Sequence, residues 1–136
     1  MSGLHAMVAG DPYRGCRELA DGLAQLSDRL MAAHQELAWQ SARSGQHLAG
    51  RTGAAYRERC EELAARSLRV AVRTDLLSRG LHALAEELTE ARGLRLSGER
   101  WAEPELATRA AALETSAQES WLECLNHLAE LRCGGQ

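Results

Sequence analysis

The residues able to do chemistry are few and scattered. Four cysteines, Cys16, Cys60, Cys124 and Cys133, stand far apart, as do the histidines His34, His82 and His127. Structural zinc takes its thiolates and imidazoles from short pairs such as Cys-x-x-Cys, and none is present. Helical metal sites use Glu-x-x-His or His-Glu-x-x-His, which place ligands one turn apart on one face; neither pattern occurs. A Gly-x-x-x-x-Gly-Lys phosphate loop needs a lysine, and all 16 basic residues are arginine. A Gly-x-Ser-x-Gly nucleophile elbow is also missing. The acidic pairs Glu61-Glu62 and Glu86-Glu87 are neighbours in sequence and diverge on a helix, so they make poor proton-sharing dyads. The expectation is a protein with no catalytic residues, no metal and no cofactor.

Arginines gather at Arg57, Arg59, Arg66, Arg69 and Arg73, and three of them, Arg59, Arg66 and Arg73, recur every seven residues along one line of a helix. Glu58, Glu61 and Glu62 are interleaved, the net charge is -3, and no recognition-helix motif accompanies the cluster. Nucleic acid is therefore not the expected partner; a stripe that meets acidic residues on a neighbouring helix is. Residues 51–100 carry ten Arg against eight acids, and residues 103–136 six Glu against two Arg, which would draw a second and a third helix together or leave two solvated faces.

The elements that hold these groups are helices. Ala and Leu make up 46 of 136 residues, and the chain has neither Phe nor Ile, so strand-forming material is scarce and helix formers dominate. Apolar residues at Cys16, Leu19, Leu23, Leu26, Leu30, Ala33 and Leu37 alternate three and four apart, the seam of a helix lying along another. With Asp11-Pro12 as cap and first turn, this helix is expected over about 12–44. A second seam runs through Tyr56, Cys60, Leu63, Ser67, Val70, Thr74, Leu77, Leu81, Leu84, Leu88 and Ala91, predicting a helix over about 53–92, capped at Thr52 and stopped at Gly93. Residues 93–102 read as a connector. A third helix, about 103–132, is phased by Leu106, Ala110, Leu113, Ala117, Trp121, Leu125 and Leu128.

The expected architecture is all-α: a long antiparallel helical hairpin plus a third helix, completing a bundle through dimerisation. Residues 1–11 and 133–136 are read as flexible ends of a single helical domain. A second and third helix folded about a midpoint near residue 97 would bring Cys60 and Cys133 to one end, a register in which a disulfide could form. No run of 18 apolar residues offers a membrane span, and the N-terminus lacks the basic start and apolar block of a general-secretory signal.

Between the first two helices stands Leu48-Ala49-Gly50-Arg51-Thr52-Gly53-Ala54-Ala55-Tyr56. With the hairpin on either side, about residues 11–92, it resembles the Trp-x-Gly helical-hairpin superfamily of type VII (ESX) secretion, with Leu48 where the family usually has Trp. The motif positions are Leu48, Gly50, Gly53, Ala54, Ala55 and Tyr56. The family's Tyr-x-x-x-Asp/Glu export signal is not found beyond Ala91. The resemblance implies a non-enzymatic partner protein, acting by helix–helix association as a secretion substrate, targeting domain or substrate chaperone. Its partner would be a second copy, a related hairpin or an effector, and its location the cytoplasm or, by a signal-peptide-independent route, outside the cell. The alternative expectation is a cytoplasmic helical-bundle adaptor unrelated to secretion. The packing residues expected to serve either role are Leu19, Leu23, Leu26, Leu30, Leu37, Leu63, Val70, Leu77, Leu81, Leu84 and Leu88.

Overall fold

The structure is a computed structural model that describes residues 12–47 and 50–134. Three helices account for nearly all of them: α1 (Arg14–His47), α2 (Gly50–Trp101) and α3 (Pro104–Gly134). No strand occurs among the described residues. The 52 residues of α2 correspond to roughly 78 Å at 1.5 Å per residue. Both other helices pack on α2, and no Cα of α1 lies within 8 Å of a Cα of α3.

The α1–α2 contact is built on small residues. Ser27 Oγ donates to the Ala71 carbonyl at 2.8 Å, and Ser78 Oγ to the Ala20 carbonyl at 2.6 Å. His34 Nδ1 lies 2.8 Å from the Ala64 carbonyl. The paired positions run in opposite order, so the two helices are antiparallel. A one-carbon side chain reaches the neighbouring main chain only when the helices are close, and such closeness requires Ala or Ser at the contact. Ala20, Ser27 and Ser41 of α1 and Ala64, Ala71, Ser78 and Ala85 of α2 are accordingly buried. On α2 these small residues recur every seven positions, and on α1 Ala20, Ser27 and Ser41 share one line with His34.

This seam differs from the expected one. On α1 it follows Cys16, Ala20, Leu23, Ser27, Leu30, His34, Leu37 and Ser41, in which Leu23, Leu30 and Leu37 are half-buried. Leu19, Leu26 and Ala33 stay outside it and are exposed, because their bulk, or their phase, does not suit the close approach. On α2 the expected residues Cys60, Thr74, Leu77, Leu81 and Ala91 are buried, and Leu63, Val70, Leu84 and Leu88 half-buried. Thr74 Oγ1 bonds back to the Val70 carbonyl one turn earlier at 2.7 Å, which satisfies a hydroxyl that is 1 % exposed.

The α2–α3 contact repeats the pattern. Ala110, Ala117 and Cys124, seven residues apart, are buried against α2, with Leu106, Leu113, Ser120, His127 and Leu131 half-buried beside them. At Gly80 an added Cβ would lie 2.7 Å from Cys124 Sγ, so the glycine makes the space the thiol occupies. Arg95–Glu114 and Arg73–Glu130 ion pairs bridge the two helices at half-exposed positions, where solvent screening keeps their contribution small. Leu77, Leu81, Ala20 and Cys124 form the core, with Cys16, Leu23, Leu84 and Leu131 packed around them.

The connector expected at 93–102 is helical up to Trp101. Gly93 does not end the helix, since α3 continues to pack alongside: Arg95 meets Glu114, and Gly98 lies against Glu103 and Ala107. The actual stop is a Schellman turn, in which Glu103 N–H donates to the Gly98 carbonyl at 3.0 Å and Ala102 adopts φ 53°. Pro104 then opens α3, where its missing N–H is harmless. The other boundaries also shift. Tyr13, whose carbonyl accepts the Arg17 N–H, precedes α1, whereas the expected cap Asp11 lies outside the described residues. Thr52 is inside α2 rather than capping it.

Three substitutions test this packing. Gly22 has open space around it, so Gly22→Ala should stabilise the fold by up to ~1 kcal/mol of helix propensity, read as a higher denaturation midpoint. Gly80→Ala should instead lose about 1–3 kcal/mol through overpacking, and Cys124→Ala in the same chain should recover most of it. Ala102→Gly should relieve the left-handed strain and stabilise by about 0.5–1 kcal/mol, measured by guanidinium unfolding.

Candidate interaction surface

The residues singled out for chemistry are dispersed by the fold. His34 faces the Ala64 carbonyl, His82 Nε2 sits 3.1 Å from Asp21 Oδ1, and His127 Nδ1 sits 3.4 Å from Arg73, each at a different level of α2. Among the described residues no three His, Cys, Asp or Glu side chains group as metal ligands. All four cysteines are free. The helix continuing to Trp101 moves the α2–α3 midpoint past the expected residue 97, so Cys133 comes level with about residue 71 rather than with Cys60. Cys16 and Cys124 both reach the core, but their Cα atoms are more than 8 Å apart, beyond disulfide reach. Burial pushes the Cys124 thiol up, reinforced by Cys16 and Glu123, which keeps it a protonated packing group rather than a nucleophile.

Of the motif positions, Leu48 lies outside the described residues. Gly50 begins α2 with φ +79°, a conformation that favours glycine. Gly53 is buried, and Ala54, Ala55 and Tyr56 are exposed. Tyr56 Oη donates to Gln40 Oε1 at 3.2 Å. Cys60, one turn further along α2, pushes the Tyr56 phenol up from its ordinary value, through hydrogen bonding and then thiolate charge, with burial adding to it.

What the fold does assemble is apolar surface. Glu114, Trp121 and Leu128 are seven residues apart and share one line of α3, and Glu114 on that line meets Arg95. Arg95 shares its line of α2 with Leu81, whose carbonyl lies 3.3 Å from the Cys16 thiol of α1. The Trp121–Leu128 line therefore looks toward α1. Leu19 and Leu26 share a line with Gln40, which meets Tyr56; Tyr56 shares its line with Leu77 and Leu84, the core residues of α2 beneath α3. The Leu19–Leu26 line therefore looks toward α3.

The two lines form the walls of a shallow trough, whose floor is closed by side chains: Leu77 and Leu81 beneath it are 3 % and 5 % exposed, with Cys16 and Leu23 of α1 and Cys124 and Leu131 of α3 packed over them. The backbones of α1 and α3 stay apart, with side chains of both meeting only over the core, and the walls stay accessible: Leu19 is 56 % exposed, Leu26 45 %, Trp121 45 %, Leu125 40 % and Leu128 47 %. Trp39 and Trp101 are exposed elsewhere, each with a guanidinium over its ring, Arg43 at 5.0 Å and Arg100 at 5.3 Å. Trp121 has no such cover among the described residues. The sequence had placed Leu19, Leu26, Trp121, Leu125 and Leu128 in helix-packing seams; the structure moves them to the trough's walls.

A second apolar area lies on α2 near the end of α3, where Arg66, Arg69, Arg73, Val72, Leu76 and Leu131 line a cleft of about 550 Å³. Arg59 pairs with Glu62 of its own helix at 3.3 Å and Arg73 with Glu130 of α3, so only part of the arginine stripe meets a neighbouring helix.

No protein-family model matches the chain, and no curated protein or solved structure is significantly similar to it. No helix among the described residues is long and apolar enough to cross a membrane.

With all three tryptophans between 45 % and 65 % exposed, the folded protein should show red-shifted emission with most of its intensity open to acrylamide. Trp121→Phe should remove the fraction that a helix bound in the trough shields. A blue-shifted, unquenchable spectrum at high dilution would contradict this surface.

Proposed function

We propose that this chain is a non-enzymatic helical partner protein, whose trough between α1 and α3 takes an amphipathic helix from another protein chain. The observation that carries the reading is uncovered surface. Leu19 and Leu26 on α1 and Trp121 and Leu128 on α3 are 45–56 % exposed, and their two apolar lines flank the same stretch of α2.

A helix laid along such a groove buries its own apolar stripe while extending the contact that α1 and α3 make with each other only over the core. Trp121 has the character of an anchor, since aromatic residues dominate binding energy at interfaces. The core beneath is thin: the largest fully buried side chains are Thr74 and Cys124. Burying a leucine or aromatic side chain contributes ~1.5–3 kcal/mol, so a partner that covers the trough also stabilises the fold.

The resemblance of the α1–α2 region to Trp-x-Gly hairpins supports a more particular version, a dimerising partner, targeting domain or substrate chaperone of an ESX-like secretion system. In that version the bound helix comes from a second copy or from a related hairpin encoded nearby.

Co-expression with such neighbour-encoded hairpins tests the reading. A stable complex should form, and Trp121→Glu with Leu26→Glu should weaken it about tenfold or more, with helical content unchanged because both positions face solvent. The expected core residues Leu77 and Leu81 do not suit this purpose, since charging them would unfold the chain. A complex indifferent to both trough substitutions would rule the trough out.

A further inference from the structure

The opposite side of α2 carries a second surface, whose pattern matches itself. Val72, Arg79 and Glu86 are seven residues apart on one line, and Arg69, Leu76 and Ala83 on the adjoining one. Val72 and Leu76 are 46 % and 38 % exposed and stand at the centre. Toward the N-terminal end the cleft wall carries Arg69 and, on the line that meets α3 through Arg73 and Gly80, Arg66; Glu62 beside them is paired with Arg59. Toward the other end lie Glu86 on α2 and Glu123 on α3. Glu123 shares a line with Glu130, which lines the same cleft.

The charges near the centre are already matched, Arg73 by Glu130 and Arg79 by Asp75. Those at the ends are not: Arg66, Arg69, Glu86 and Glu123 are exposed, and none has an ion-pair partner among the described residues. The α2–α3 register, with Cys124 against Gly80, sets Glu123 level with about residue 81. The basic and acidic ends are then separated by roughly 24 Å at 1.5 Å per residue, and their midpoint falls beside Leu76.

We propose that this face is the twofold interface of a homodimer, in which Val72 and Leu76 of two antiparallel α2 helices meet at the axis and the Arg66–Arg69 end of each copy meets the Glu86–Glu123 end of the other. A surface that is apolar in the middle and opposite in charge at equal distances on either side is complementary to its own twofold copy, which defines an isologous contact. Rotation about an axis through Leu76 exchanges the two ends, so both sets of unpaired charges are satisfied at once. A partner of another sequence would have to reproduce the same dipolar pattern; a second copy carries it already. The inference shares with the proposed function only the premise that the chain works by association. It uses a different face, so the trough remains open in the dimer.

Sedimentation velocity over a micromolar concentration series tests it with the full chain. The native protein should be a dimer whose dissociation constant rises with salt. Arg66→Glu with Arg69→Glu makes both ends acidic, and Glu86→Arg with Glu123→Arg makes both basic; each variant alone should weaken self-association by about tenfold or more through like-charge opposition. An equimolar mixture of the two should dimerise again, because every end then finds its opposite. All four positions are exposed, and circular dichroism should show unchanged helix. A monomeric native protein, variants that dimerise as well as the native chain, or a mixture that stays monomeric would each overturn the proposal. Loss of trough binding in Trp121→Glu with Leu26→Glu, alongside an unchanged dimer, would separate the two surfaces.

Discussion

The structure depends on how closely two helices can approach. A serine hydroxyl that reaches the carbonyl of a neighbouring helix, as Ser27 does at Ala71 and Ser78 at Ala20, fixes that approach to within the length of one short side chain. Along the lines of direct contact alanine, serine and cysteine predominate, with His34 the one large side chain among them. The hydroxyls are satisfied where they are buried, so the seam carries little desolvation penalty. Its stability comes from many close van der Waals contacts rather than from large buried side chains. The same rule governs α3, where Ala110, Ala117 and Cys124 face α2 and Gly80 yields its Cβ volume to a thiol.

Close packing has a geometric consequence. A helix face that accepts only small residues pushes its large ones to the flanks, because Leu and Trp cannot occupy the contact line and are spaced one position away from it. Leu19 and Leu26 lie one residue before Ala20 and Ser27, and Trp121 and Leu128 one residue after Ser120 and His127. With α1 and α3 both bound to α2 and meeting each other only over the core, these flanking residues face a shared gap. The apolar trough is thus a by-product of the rule that builds the core.

The helical class was legible because it rests on composition and period, and the buried positions Cys60, Thr74, Leu77, Leu81 and Ala91 of α2 were legible because both large and small residues there fall on one phase. Phase was the difficulty elsewhere. In α1 two three-four alternations share Cys16, Leu23, Leu30 and Leu37, and differ only in taking Leu19, Leu26 and Ala33 or Ala20, Ser27 and His34 between them. Hydrophobicity favours the first; close approach selects the second, and no local signal reports the interhelix distance. On α3 the sequence offers Trp121, Leu125 and Leu128 against Ser120, Cys124 and His127, and the same bias misleads. Gly93 was misread for a different reason: a glycine costs a helix only ~1 kcal/mol, less than the contacts α3 makes beyond it.

The length of α2 decides where the molecule can be a binding protein. Level with residues 50–84 it is accompanied by α1, and level with about 70–101 by α3, as the Ser27–Ala71 and Gly80–Cys124 registers show. Only the middle stretch, about 70–84, has both neighbours. Here the core of Ala20, Leu77, Leu81 and Cys124 gathers, and here α2 is packed on two sides, which supports the backbone that carries its exposed side chains. The trough and the centre of the twofold face both lie over this stretch, on opposite sides of one helix, and the trough's walls are made of residues the small-residue seams exclude. Preorganised surface is what lets buried area be expressed as affinity, because little side-chain and backbone order remains to be lost on binding. A long central helix gripped at its middle by two short-range contacts provides that order from a core too thin to supply much stability by hydrophobic burial alone.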